Sequence, residues 1–243
     1  MARGRLARTW LHFRPQSMRA WLIINEPSGW HSRGYLPHWE AGETPQSITF
    51  RLADSLPKAV LERWRDELAK MPAESASLEQ YRRVEAALDS GHGSGVLAQA
   101  RIGEIVEGAL LYFDAEWYRL HGWVVMPNHV HVLITPLGDR TLSKITHSWK
   151  SYTAKAINNV LHKQGQFWAP EYFDRTIRSS AHFWHALGYI AMNPVKAGLC
   201  SNAEDWRYSS TWHIAQAEKG GRDARAPYQP ERKNLTASSR SKR

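Results

Sequence analysis

The stretch from Trp123 to Thr135 constrains this chain more than any other, because it is almost wholly apolar apart from two histidines set one residue apart, His129 and His131. Pro127 interrupts it, and proline cannot donate to a central ladder. The stretch therefore reads as two strands, Tyr118 to Met126 and Asn128 to Thr135, joined as a hairpin or a bent ribbon. On the second strand, period-two geometry sends both histidines to one face and Val130, Val132 and Ile134 to the other. Two neutral imidazoles so placed can converge on one divalent ion. Two ligands are too few for a tight site, so another donor must come from elsewhere in the chain.

The remaining pattern alternates strands with helices. Ser47 to Leu52 reads as a first strand, and Pro57 opens a helical pattern through Leu68 that fades near Met71 and Pro72. A second, polar helix runs from Ser75 to Leu88 and stops at the breaker Gly91 to Gly95. Val96 to Phe113 has the apolar spacing of a helix that covers a sheet, and Thr141 to His162 is the next helix. Gln166 to Arg175 reads as irregular, followed by a short strand at Thr176 to Arg178. Ser179 or Ser180 then caps a helix that runs to Met192 or Asn193 and is ended by Pro194.

At 243 residues this suits one domain with appendages. Residues 1–46 read as an arm, 47–213 as the catalytic domain and 214–243 as a basic tail predicted to be disordered. Lys and Arg number 32 against 23 Asp and Glu, a formal charge of +9 that favours a polyanionic partner such as nucleic acid. The single cysteine, Cys200, excludes an intrachain disulfide and fits a reducing compartment. No apolar run is long enough to span a bilayer, and the basic beginning lacks a secretory apolar region. The expectation is a cytoplasmic protein that does not engage membranes.

Tyr189 and Asn193 stand four apart in the last helix and share a face. An asparagine oxygen is a plausible third ligand beside two imidazoles, and such a set accepts Mg2+ or Mn2+. Tyr189 would then sit beside the metal. A phenol ionises near pH 10, so its attack on a phosphodiester needs help, which a metal polarising the phosphate supplies. Tyr152 is the competing tyrosine, but Ala156 follows one turn later and offers no ligand.

The run Val125-Met126-Pro127-Asn128-His129-Val130-His131-Val132-Leu133, followed by Tyr189-Ile190-Ala191-Met192-Asn193-Pro194-Val195-Lys196-Ala197-Gly198-Leu199, resembles the REP-associated tyrosine transposases, relatives of the single-tyrosine insertion-sequence enzymes in the His-hydrophobic-His endonuclease superfamily. The likeness extends from about Arg33 to Ser210 and includes Phe50 to Pro57 and Glu204 to Ser210. It implies an α+β, ferredoxin-like (RRM-like) antiparallel sheet with helices packed on it. It also implies that Tyr189 attacks single-stranded DNA to form a 5′-phosphotyrosine bond and a free 3′-hydroxyl, with the metal on His129, His131 and Asn193. The function implied is cleavage and rejoining of DNA near palindromic hairpins, by a monomer or homodimer associated with a bacterial nucleoid.

For the DNA track the residues offered are Lys150, Lys155, Arg175, Arg178, Lys196 and Arg207; Trp149, Trp168 and Trp206 lie near them in sequence, a mixture that suits phosphate neutralisation and base stacking, but the tryptophans are read as mostly core. His185, one turn before Tyr189, is either a proton shuttle or a surface histidine. Two other functions remain open on sequence: a domesticated, catalytically silent nucleic-acid-binding protein of the same fold, and a metal-dependent phosphodiesterase that uses water and leaves no protein–DNA adduct.

Overall fold

In a computed structural model the chain is described over residues 30–32, 37–39 and 43–220. Most of the arm and residues 221–243 of the tail lie outside these. The β-forming segments are β1 (Trp30–Ser32), β2 (Pro37–Trp39), β3 (Gln46–Leu52), β4 (Tyr118–Val125), β5 (His129–Pro136) and β6 (Trp168–Thr176). The helices are α1 (Lys58–Leu68), α2 (Ala73–Asp89), α3 (Ala100–Tyr112), α4 (Leu142–Leu161), α5 (Ser180–Lys196) and α6 (Ser210–Lys219). No helix among the described residues is long and apolar enough to cross a membrane.

Strands β3 to β6 form one antiparallel sheet in the order β4-β5-β3-β6. With α3 after β3 and α4 after β5, this is the ferredoxin-like β-α-β-β-α-β arrangement, with α1 and α2 inserted ahead of α3. β4 and β5 are the hairpin expected across Pro127. Its alternation divides the sheet cleanly. Ile48, Phe50, Leu52, Val130, Val132 and Ile134 face α3 and α4 in the main core, while Val124, Met126 and Leu133 meet Ala186, Leu187 and Ile190 of α5. At Gly122 a Cβ would lie 2.7 Å from Leu187 Cδ2, so a bare backbone there lets α5 lie close on the sheet.

Three expectations fail. The stretch read as irregular, Gln166 to Arg175, contains β6, and the short strand expected at Thr176 to Arg178 ends at Thr176. Pro170 and the charges disguise β6, yet it is an edge strand paired only with β3, where proline is tolerated. The register shifts across Ala169, Pro170 and Glu171, opposite Arg51. Second, Pro194 does not end α5, which continues to Lys196 and stops where Gly198 turns left-handed (φ +69°). The missing N–H costs one ladder bond close to the end, and Asn193 stays helical. Third, α6 runs across the boundary placed at residue 213, capped by Ser209 whose side chain accepts from Trp212 N–H. Within the expected arm, β1 and β2 pair as a small ribbon.

Trp149 and Trp168 are core residues, as expected of most of the tryptophans. Both are buried, and both pack on Phe50. Their indole N–H groups are used internally, Trp149 on Tyr118 Oη (2.9 Å) and Trp168 on Thr153 Oγ1 (2.8 Å).

Candidate histidine and tyrosine site

His129 and His131 leave β5 on the α5 face of the sheet, each 1% exposed, with their Nε2 atoms 2.9 Å apart. The outer nitrogens are both held. Asn128 donates its amide N–H to the carbonyls of Leu88 (3.2 Å) and His92 (2.9 Å), so its Oδ1 is the atom that meets His129 Nδ1 at 2.6 Å. His129 must therefore carry its proton on Nδ1, which leaves the Nε2 lone pair facing His131. His131 Nδ1 lies 2.8 Å from Thr49 Oγ1, its cross-strand neighbour. A hydroxyl both donates and accepts, so His131 keeps a choice of tautomer that His129 lacks.

Burial pushes both imidazoles well toward the neutral form; the neighbouring His131 adds to this at His129, while Glu85 and Asp89 oppose it at His131. With no metal, His131 Nε2–H can donate to His129 Nε2. With Nδ1–H on Thr49 instead, both Nε2 lone pairs point to one place. Donors sharing an ion at roughly 2.1 Å lie about 3.0–3.4 Å apart, so the pair is already near ligand spacing.

Asn193, the third donor expected from sequence, lies beside the pair. It is 1% exposed and has its amide nitrogen 3.2 Å from His131 Nε2, while its Oδ1 is buried and has no hydrogen-bond partner among the described residues. Turning the amide over would bring that oxygen to the pair, where an ion could satisfy it. Tyr189, one turn earlier on α5, shares this face. Its ring packs edge-on to His131 at 5.4 Å, Lys196 Nζ stands 4.4 Å over it, and its hydroxyl donates to Glu85 of α2. Burial raises the phenol's pKa, and the nearby Glu85, Asp89 and Tyr81 raise it further, so the free site holds the phenol protonated.

The other candidates scatter. Lys155, Arg175, Arg178 and Lys196 are exposed, and of these Lys196 is on the tyrosine itself. Lys150 is tied to the carbonyls of Ala169 (2.8 Å) and Pro170 (2.7 Å), and burial draws its pKa down to about 8. Arg207 is paired with buried Glu107 at 3.2 Å and stacks 4.1 Å over Trp212, a structural tie. Trp206 donates to Val125 O (2.9 Å), His185 is exposed on the helix surface, and Tyr152 is 61% exposed.

Sequence reasoning missed four neighbours of the site. Thr49 and Arg51 face the histidines from β3 in the pairs Thr49–His131 and Arg51–His129. Strand alternation from Ser47 could have found both. Arg51 is buried, and its guanidinium donates to Leu52 O (3.3 Å) and Ser55 Oγ (3.2 Å). Asn128 sits inside the histidine motif but carries no chemistry readable from its type. Glu85 had no signal, being one carboxylate on a polar helix.

The family described as transposase IS200-like matches residues 98–193, which hold both histidines, Tyr189 and Asn193 but not α2. A REP-associated tyrosine transposase of Escherichia coli (strain K12) is 31% identical over 99 residues, covering 40% of this chain and 55% of that protein. A relative described as a putative REP-associated tyrosine transposase, from Haemophilus influenzae, is 26% identical over 104 residues, covering 39% and 59%. The chain thus spans a little over half the length of these curated relatives. A solved structure of a REP-associated tyrosine transposase bound to a REP hairpin is 17% identical, covering 88% of this chain and 98% of that one, with a TM-score of 0.47. By sequence, then, residues 98–193 are similar to the family described as transposase IS200-like, and part of the chain is similar to REP-associated tyrosine transposases.

Proposed function

We propose that this protein is a metal-dependent single-strand DNA endonuclease and strand transferase acting near palindromic hairpins through a 5′-phosphotyrosine intermediate on Tyr189. The observation that carries the reading is the convergence, in one buried place, of two Nε2 atoms 2.9 Å apart, an orphaned asparagine oxygen and a tyrosine hydroxyl. Neutral imidazoles with held outer nitrogens, joined by an amide oxygen, suit Mg2+ or Mn2+. His129, His131 and Asn193 are the residues that would hold the ion. When bound, it supplies charge to the scissile phosphate.

The chain's own residues supply the nucleophile and its orientation. Tyr189 Oη bonds to phosphorus while the bond from phosphorus to the 3′ oxygen breaks. The phenol loses its proton, and the departing oxygen gains one as a 3′-hydroxyl. Lys196, exposed and beside the ring, is placed to meet the phosphate charge. Arg51, buried on the histidine face with neutral partners only in its hydrogen bonds, is a second cation for that role. The +9 charge and the exposed Lys155, Arg175 and Arg178 suit a DNA strand and predict steep salt dependence. Incubation with hairpin DNA and Mn2+, followed by denaturing electrophoresis and peptide mapping, should find the DNA on the Tyr189 peptide. Cleavage that leaves no adduct would replace this reading with water-mediated hydrolysis.

A further inference from the structure

We infer that Glu85 is the positioning residue of Tyr189: from α2, it holds the phenol oxygen beside the histidine pair of the same chain. This rests on the tyrosine reading above. Glu85 is 8% exposed, its Oε2 accepts the Tyr189 hydroxyl, and the same oxygen is 3.7 Å from His131 Nε2. Its other oxygen, Oε1, is buried without a partner. A carboxylate taken from water into such a place costs several kcal/mol unless it is paired and fully hydrogen-bonded, and this one has neither an arginine nor a lysine bonded to it. As a device for stability it is a poor arrangement, and as a hold on one hydroxyl it is effective.

The helix that carries it is fixed on both sides of the site. Val84 and Leu88 pack with Leu56 against Phe173, and Tyr81 meets the Phe173 ring edge-on. The Leu88 carbonyl accepts from Asn128, whose Oδ1 holds His129. Thus α2 grips the start of β5 through Leu88 and the middle of α5 through Glu85, one turn apart, and registers the nucleophile against the histidines. Lys196 Nζ stands 4.4 Å over the ring. The Tyr189 hydroxyl is the group that Glu85 Oε2 accepts from, which makes Glu85 a partner of the tyrosine. It also lies outside the matched residues 98–193.

The test uses the full chain and a library of hairpin oligonucleotides with randomised single-stranded flanks, in Mn2+. Three quantities are read for wild type, Glu85→Gln and Glu85→Ala: the single-turnover rate of Tyr189 adduct formation at saturating DNA, the Kd for the hairpins, and the affinity for Mn2+ without DNA. Losing the hold lets the oxygen drift by an ångström or so, which costs about 100-fold in rate. The adduct rate should fall about 100-fold in Glu85→Ala and about tenfold in Glu85→Gln, which keeps the shape and an accepting oxygen. Both affinities should stay within twofold. An unchanged adduct rate in both variants overturns the positioning role and leaves the tyrosine reading standing. Weakened Mn2+ binding in Glu85→Gln overturns it in favour of a ligand. If wild type itself forms no Tyr189 adduct on the library, the tyrosine reading fails and the inference falls with it.

Discussion

Replacing Asn128 by alanine should uncouple the histidine pair while leaving every ligand in place. Asn128 is 1% exposed and makes three hydrogen bonds, two as donor to Leu88 O and His92 O and one as acceptor from His129 Nδ1–H. Their losses are unequal. The Leu88 carbonyl still accepts from Ser90 and Gly91 N–H, and His92 is exposed, so water can serve its carbonyl. The buried imidazole N–H has no such substitute, and an unsatisfied buried donor costs about 1–3 kcal/mol. Adding a net ~1 kcal/mol for the remaining bonds gives an expected destabilisation of about 2–4 kcal/mol by urea denaturation.

The functional loss is separate. With no acceptor at Nδ1, His129 is free to carry its proton on Nε2, the atom that must offer a lone pair, and Mn2+ affinity should fall 10- to 100-fold by calorimetry, the usual scale for an outer-shell partner. Asn128→Asp separates the two effects, since a carboxylate still accepts from His129 but cannot donate to Leu88 or His92. It should lose stability and keep Mn2+ binding. Asn128→Ala with wild-type Mn2+ affinity would refute the tautomer argument.

Tyr189→Phe should abolish the DNA adduct with hairpin affinity within twofold by fluorescence anisotropy, whereas Tyr152→Phe, on an exposed side chain, should retain full adduct formation. His131→Ala should abolish both Mn2+ binding and cleavage. Mixing His131→Ala with Tyr189→Phe chains should restore no cleavage on a gel, because Glu85, Tyr189 and His131 meet within one chain; recovery would mean that tyrosines are exchanged between copies. Burial lowers Lys150 to about 8 from 10.5, so between these values the unfolded chain binds the extra proton and this group makes stability rise with pH. Tm profiles of wild type and Lys150→Met should therefore diverge between about pH 8 and 10.5, and parallel profiles would contradict the burial argument.

The strands and helices that were legible in sequence are those whose pattern reflects one dominant neighbour. β5 alternates because one of its faces meets α3 and α4, and the α5 side carries the histidines. α3 shows its stripe because it covers that sheet. β6 was illegible because an edge strand with one partner tolerates Pro170 and charges that a central strand would reject. Asn193 and Tyr189 were placed on one face by helical spacing and singled out by the family resemblance, and both lie within α5 ahead of Pro194. The carboxylate at position 85 could not be found this way, since a polar helix shows no preference for one of its several Glu residues. Its role arises from where α2 docks.

That docking also accounts for the site's combination of burial and chemistry. Two imidazoles on the outer face of an open sheet would be wet and free to protonate near their ordinary pKa; here Asn193 and Tyr189 of α5 and Glu85 of α2 close over them, and burial holds them neutral. The same enclosure drives the phenol the other way, raising its pKa beside two carboxylates. On the proposed mechanism, a phenol held protonated beside neutral imidazoles would stay inert until positive charge enters. A divalent ion on His129 and His131 would keep the imidazoles neutral and, as a nearby positive charge, would favour the phenolate. On that mechanism, reactivity at Tyr189 would depend on occupancy of the histidine pair. Mn2+ added in the absence of DNA should lower the midpoint of the Tyr189 phenol, read as the difference in ultraviolet phenolate titration between wild type and Tyr189→Phe. An equal midpoint with and without the ion would refute that dependence.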